Sequence, residues 1–188
     1  VSARLREAVD LAFRLHAGQT RRGSRAPYVF HPLAVAGLVA DAGADEDQVI
    51  AALLHDAVED AGGADTRAEI ARRFGEDVAR LVDACSDTDR TPKPPWRERK
   101  EAFLGRLRGE PARVRLIVTC DKLHNVRALV RDLRAVGPEL WSRFRGGRDG
   151  TLWYYDEVTA ALADGWGHPL RDELERAVRE LREAAAHA

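Results

Sequence analysis

The sequence predicts an all-α protein. Three observations carry that prediction. The chain is rich in Ala, Leu and Arg, which favour helix. Apolar residues recur at three- and four-residue intervals, and no stretch shows the sustained alternation of a strand. The 188 residues are enough for one domain with its own core, so a single domain over 1–188 is expected, with a body of 5–165 and a C-terminal helix.

The elements follow in order. Leu5, Val9, Leu11, Ala12 and Leu15 set a helix over residues 2–17. Residues 18–30, GQTRRGSRAPYVF, hold two Gly, one Pro and three Arg and read as a loop. Pro32 is placed to open a second helix, with Gly43 to end it. A third helix is expected from Asp45 to Asp60, before Gly62 and Gly63. Thr66 and Glu69 have the spacing of a capping box for a fourth, which should end near Phe74-Gly75. A short helix follows through Val78, Leu81 and Val82. Residues 86–95, with three prolines, form a connection that is either a lid or a linker. A basic helix covers residues 96–108, and Pro111 starts another that runs through Leu133. Gly146, Gly147 and Gly150 suggest a mobile turn before helices at 151–163 and 169–186.

Composition narrows the function. Lys and Arg number 30 against 31 Asp and Glu, a net charge of −1, which argues against nucleic acid as the main partner but leaves room for a local basic cluster around a phosphorylated ligand. Cys85 and Cys120 are the only cysteines, too few for a disulfide framework or a thiolate zinc site. The N-terminal residues carry scattered charges unlike a signal peptide, and no apolar run is long enough for a membrane span. The expected setting is the cytoplasm, with no membrane partner. Oligomeric state is left open.

Polar residues then fall where a helix should be apolar. At roughly 100° per residue, Glu59 falls about 40° from His55, Asp56 about 100° and Asp60 about 140°. Ile50, Ala51, Leu54, Ala57 and Val58 fill the complementary arc. This is either a solvated face or a face that holds a cation. The segment VIAALLHDAVED has no Lys or Arg to balance its three carboxylates, which favours the cation. Further on, Val114, Ile117 and Val118 set an apolar stripe whose continuation is Asp121 and then Asn125. Asp121 is either a buried, hydrogen-bonded carboxylate or a metal ligand. His31, just before Pro32, has the position of a helix cap, a surface residue or a ligand. His16 and His124 suit packing or support of a ligand. Together His31, His55, Asp56 and Asp121 offer two imidazoles and two carboxylates, a set suited to Mn²⁺, Fe²⁺ or Zn²⁺ rather than Ca²⁺. Glu59 and Asp60 would lie beside a water activated by such an ion.

The order His31 … His55-Asp56 … Asp121 resembles the H…HD…D signature of the HD-domain metal-dependent phosphohydrolases. The blocks HAGQTRRGSRAPYVFHPLAVAGLVA, AALLHDAVED, FGEDVARLVDAC and CDKLHNVRAL are similar to the hydrolase domain of the RelA/SpoT alarmone enzymes and to stand-alone small alarmone hydrolases. The likeness runs from about residue 5 to 135, more weakly to 165. It implies an HD-domain helical bundle, a bound Mn²⁺ and 3′-pyrophosphohydrolysis of guanosine tetra- and pentaphosphate. It implies His31, His55, Asp56 and Asp121 as metal ligands and Glu59 and Asp60 as the catalytic acidic pair. Arg21, Arg22, Asn125 and Tyr155 are implied as substrate contacts, with adjacent Tyr154 an alternative for the last.

The chain departs from the family in its RRGSRAPY loop, one residue longer than in the bifunctional enzymes, and in Lys122 where arginine is usual. Two alternatives therefore stand beside alarmone hydrolysis. One keeps the ion and changes the substrate, to a nucleoside monophosphate, an adenosine alarmone or NADPH. The other is a non-catalytic, nucleotide-binding helical protein.

Overall fold

The computed structural model describes residues 1–22, 25–88 and 92–187. Among them the fold is all-α, with ten α-helices, one 3-10 helix and an isolated antiparallel bridge between Thr20 and Pro27. No helix among the described residues is long and apolar enough to cross a membrane. The backbone forms two compact units. The first comprises Val1–Lys93 with Pro111–Val118, and the second Pro94–Glu110 with Thr119–Ala188.

The first unit contains α1 (Ala3–Leu15), α2 (Phe30–Asp41), α3 (Glu46–Leu54), α4 (Ala57–Asp60), α5 (Gly63–Phe74) and α6 (Glu76–Cys85). Its axis is α3, which packs on α1, α2 and α6. That role follows from its sequence: Ile50, Ala51, Ala52, Leu53 and Leu54 are all buried, so the helix is apolar around its girth and must be surrounded. Leu11, Val35, Val39, Ile70, Val78 and Val82 add buried side chains to this core. A capping box starts α3, with Asp45 accepting from the Gln48 amide at 2.9 Å while Gln48 Oε1 accepts from the Asp45 amide at 3.3 Å.

Two expected elements are corrected. The helix from Asp45 to Asp60 is broken after Leu54, and residues 55–56 form a turn before α4. The His55 ring explains the break: its Nδ1 lies 2.8 Å from the Ala52 carbonyl, the group a continuous helix would offer to the Asp56 amide. Thr66 does not cap α5, which already begins at Gly63; its hydroxyl instead donates back to the Ala61 carbonyl at 2.6 Å. Gly62 and Gly63, at φ +125° and +57°, turn the chain into the helix four residues early. Glu69 is released from the capping box and accepts from Arg14 of α1.

The second unit contains α7 (Trp96–Leu107), most of α8 (Ala112–Val136), the 3-10 helix Gly137–Arg143, α9 (Gly147–Ala163) and α10 (Pro169–His187). Here α9 packs against both α7 and α10. Phe103, Leu107, Leu123, Leu140, Leu162 and Leu174 form its buried centre. The expected mobile turn is also corrected, because Gly147 and Gly150 lie inside α9. A Cβ at Gly146 would come within 2.7 Å of the Trp96 indole, and one at Gly150 within 3.3 Å. These glycines make room for an aromatic side chain at the start of α7.

Candidate metal centre

Two segments of the first unit bring His31, His55 and Asp56 together. His31 lies in the first turn of α2, which begins at Phe30, two residues before the expected Pro32. It is neither a cap nor a surface residue: Val29 holds the cap position without a side-chain bond, and His31 is 1% exposed. His55 is equally buried. The turn after α3 directs His55 and Asp56 to the same place despite the broken helix. His55 Nε2 lies 3.0 Å and His31 Nε2 3.5 Å from Asp56 Oδ2. The imidazole centroids are 5.2 Å apart, nearly edge to face. One ligand atom from each residue lies within 4.8 Å of the others.

The Ala52 carbonyl can only accept, so the His55 Nδ1 that contacts it carries the proton. With that proton on Nδ1, a neutral ring would present the lone pair of Nε2 toward a carboxylate oxygen. Two lone-pair groups this close need a shared proton or a cation between them. Nitrogen, nitrogen and carboxylate oxygen fit a borderline transition ion, and the carbonyl contact is the kind that fixes the tautomer of a metal-bound histidine.

The acidic pair sits on α4. Glu59 is half-buried, and Asp60 is exposed. The sequence showed no cation in their own helix, but the fold brings one: Lys93 Nζ lies 3.0 Å from Glu59 Oε1 and 3.3 Å from Asp60 Oδ1. The Asp87 amide donates to Glu59 Oε2 at 3.4 Å. Both flanks of the proline-rich connection thus reach Glu59, while residues 89–91 lie outside the described part. Arg21 is half-buried and Arg22 exposed, in a loop closed by the Arg21 amide donating to the Ala26 carbonyl at 2.9 Å. Gln19 at the loop's base donates to the Asp60 carbonyl at 3.3 Å. At its end the Tyr28 hydroxyl donates to Asp56 Oδ2 at 2.5 Å. Sequence reading missed Tyr28, Gln19 and Lys93. Only the Tyr28 position, three residues before His31 in a turn, offered a local signal.

Asp121, Asn125 and Tyr155 belong to the second unit. Asp121 is buried in mid-helix, with Lys122 Nζ 2.6 Å from Oδ2 and Asn125 Nδ2 donating to Oδ1 at 2.5 Å. The Lys122 ammonium lies 5.5 Å from the ring centre of Phe103 and 5.8 Å from that of Tyr154. Tyr155 is buried beside Tyr154, their rings 5.5 Å apart. Burial, with the charges of Asp121 and Glu173, pushes the Cys120 thiol up to about 12, so it is inert at neutral pH.

Comparison with known proteins agrees with this chemistry. An HD domain family model matches residues 8–152. The human guanosine-3′,5′-bis(diphosphate) 3′-pyrophosphohydrolase MESH1 is 34% identical over 189 residues, covering 99% of this chain and 93% of its own length. The bifunctional (p)ppGpp synthase/hydrolase SpoT of Escherichia coli K12 is 39% identical over 132 residues. A probable GTP pyrophosphokinase of Mycobacterium leprae is 37% identical over 141. This chain spans only 18% and 17% of those two bacterial proteins. A solved structure described as a metazoan ortholog of SpoT that hydrolyzes ppGpp superposes with a TM-score of 0.79 at 29% identity, covering 95% of this chain and 96% of that one.

Proposed function

The chain belongs to the HD domain family, and we propose that it is a metal-dependent nucleotide phosphohydrolase that releases pyrophosphate from the 3′ position of guanosine-3′,5′-bis(diphosphate). The observation that carries this reading is the convergence of His31, His55 and Asp56 within 4.8 Å. The near full-length similarity to the human pyrophosphohydrolase supports the choice of substrate. His31, His55 and Asp56 would hold the ion, Mn²⁺ first and Fe²⁺ or Zn²⁺ as alternatives. Asp121 joins them on the order of the sequence motif.

When bound, the ion supplies Lewis acidity to a phosphoryl oxygen and to water. The remaining roles fall to side chains. Glu59 and Asp60 orient the attacking water and take its proton. Lys93 holds the two carboxylates side by side. Arg21 and Arg22 neutralise the phosphates, for which the planar guanidinium suits best. Asn125 and Tyr155 are assigned to the substrate by the family likeness. Positioning and charge stabilisation are the main demands of phosphoryl transfer, and this set meets both. Two cysteines outside any disulfide among the described residues and a nucleotide substrate suit a reducing, cytoplasmic setting.

Chromatography of a nucleotide panel incubated with the protein and Mn²⁺ tests the proposal. Guanosine diphosphate and free pyrophosphate from guanosine-3′,5′-bis(diphosphate) are expected. Orthophosphate from a monophosphate, with the tetraphosphate left intact, would move the substrate. Nucleotide binding without product across a series of divalent metals would overturn catalysis.

A further inference from the structure

We propose that Tyr28 is a positioning residue for the metal centre, its phenol fixing which lone pair of Asp56 faces the two imidazoles. The proposal rests on the metal-centre reading above.

The hydroxyl donates to Asp56 Oδ2 at 2.5 Å, the same oxygen that lies 3.0 Å from His55 Nε2 and 3.5 Å from His31 Nε2. A carboxylate oxygen has two in-plane lone pairs. With one directed to the phenol, the other is turned toward the histidines. A hydrogen bond to an ionised carboxylate is short and strong, so this contact outweighs the free rotation of the Asp56 side chain.

The phenol is itself held from several directions. Its ring packs tilted against His16 and His31, with centroids 5.2 and 5.6 Å away. The Tyr28 amide donates to the Gln19 carbonyl at 2.9 Å, and its own carbonyl accepts from the His31 amide at 2.8 Å. The last bond ties Tyr28 directly to the turn that starts α2 and carries His31. One residue therefore fixes the position of one metal-site side chain through its backbone and the orientation of another through its hydroxyl. It also places the loop bearing Arg21 and Arg22 at a set distance along the chain from the centre, since that loop ends at Tyr28.

Removing a hydrogen bond to a metal ligand typically weakens metal binding by roughly 10- to 100-fold. Tyr28→Phe keeps the ring against His16 and His31 and deletes only the donor. Titration of Mn²⁺ into metal-free protein, followed by loss of the free Mn²⁺ signal in electron paramagnetic resonance, reads the affinity directly. We expect Tyr28→Phe to bind Mn²⁺ roughly 10- to 100-fold more weakly than wild type. The Mn²⁺ concentration for half-maximal hydrolysis should rise by the same factor, and the metal-free variant should keep the helical circular dichroism of wild type at the temperature of the titration. An affinity within twofold of wild type overturns the positioning role. So does weaker binding accompanied by a loss of helical signal in the metal-free protein at that temperature, which would mark Tyr28 as a packing residue. If wild type itself takes up no Mn²⁺, the metal-centre reading fails first, a result distinct from a normal wild type and an unaffected Tyr28→Phe.

Discussion

Around Asp56 gather two imidazole nitrogens and a phenol; around Asp121 gather an ammonium and a carboxamide. The two carboxylates sit in different units and are built in opposite ways. Asp56 lies in a turn, and its neighbours on the histidine side are ring nitrogens, metal-ligating groups that a cation would join. Asp121 lies within a long helix, where Lys122, one position along, already offsets its charge and Asn125, four along, donates it a hydrogen bond. The first arrangement gains from an incoming ion. The second is balanced beforehand, so an ion that recruited Asp121 would compete with Lys122 for the same carboxylate.

The largest effect should come from breaking the first arrangement. Asp56→Ala removes the carboxylate that both histidines face, and hydrolysis should fall to the uncatalysed background with Mn²⁺ uptake lost. Glu59→Ala separates chemistry from binding. It should retain Mn²⁺ and lose roughly 100- to 10,000-fold in turnover, the range expected for a general base. Full turnover by a metal-loaded Glu59→Ala would remove that role from Glu59.

Lys122→Met sharpens the comparison from the other side. It keeps an apolar stem against Phe103 and Tyr154 but leaves the Asp121 carboxylate without its ammonium. Breaking a buried pair in this way costs roughly 3 kcal/mol of stability in metal-free protein. If Asp121 is a ligand, saturating Mn²⁺ replaces the missing charge and narrows the gap in melting temperature between variant and wild type. A gap unchanged by Mn²⁺ would leave Asp121 a structural carboxylate.

The smallest effect belongs to a pair outside both clusters. Two side-chain hydrogen bonds from Arg14 are the main reason the Glu69 carboxyl is held below its usual range, with Arg73 assisting. A folded-state pKa below the unfolded one stabilises the protein above the unfolded value, and that contribution is lost as pH falls through the folded value. Glu69→Gln should therefore cost under about 1 kcal/mol at pH 7, because the pair is largely solvated. Urea denaturation at pH 7 and at pH 3 checks the sign: the difference from wild type should shrink at the lower pH.

How much of this was legible in the sequence depends on whether the determining contact is local. The all-α class, most helix positions and the separated His31, His55-Asp56 and Asp121 elements all follow from periodicity and residue type. The break after Leu54 does not, because a helical wheel assumes continuity and the His55 ring's contact with the Ala52 carbonyl ends it. Thr66 had the spacing of a cap, but two positive-φ glycines started the helix upstream of it. Lys93 is 34 residues from Glu59, and no pattern within a helix could have paired them. Gly146 and Gly150 looked like signs of mobility because the indole that occupies their missing side-chain volume comes from Trp96, far away in sequence.

The most direct measurement is the Mn²⁺ content of purified protein, supplemented with Mn²⁺ and then dialysed free of excess ion, with His55→Ala treated identically. One ion per chain in wild type and none in His55→Ala is the expected result. No retained ion in wild type, or equal retention in both, would contradict a centre built on His31, His55 and Asp56.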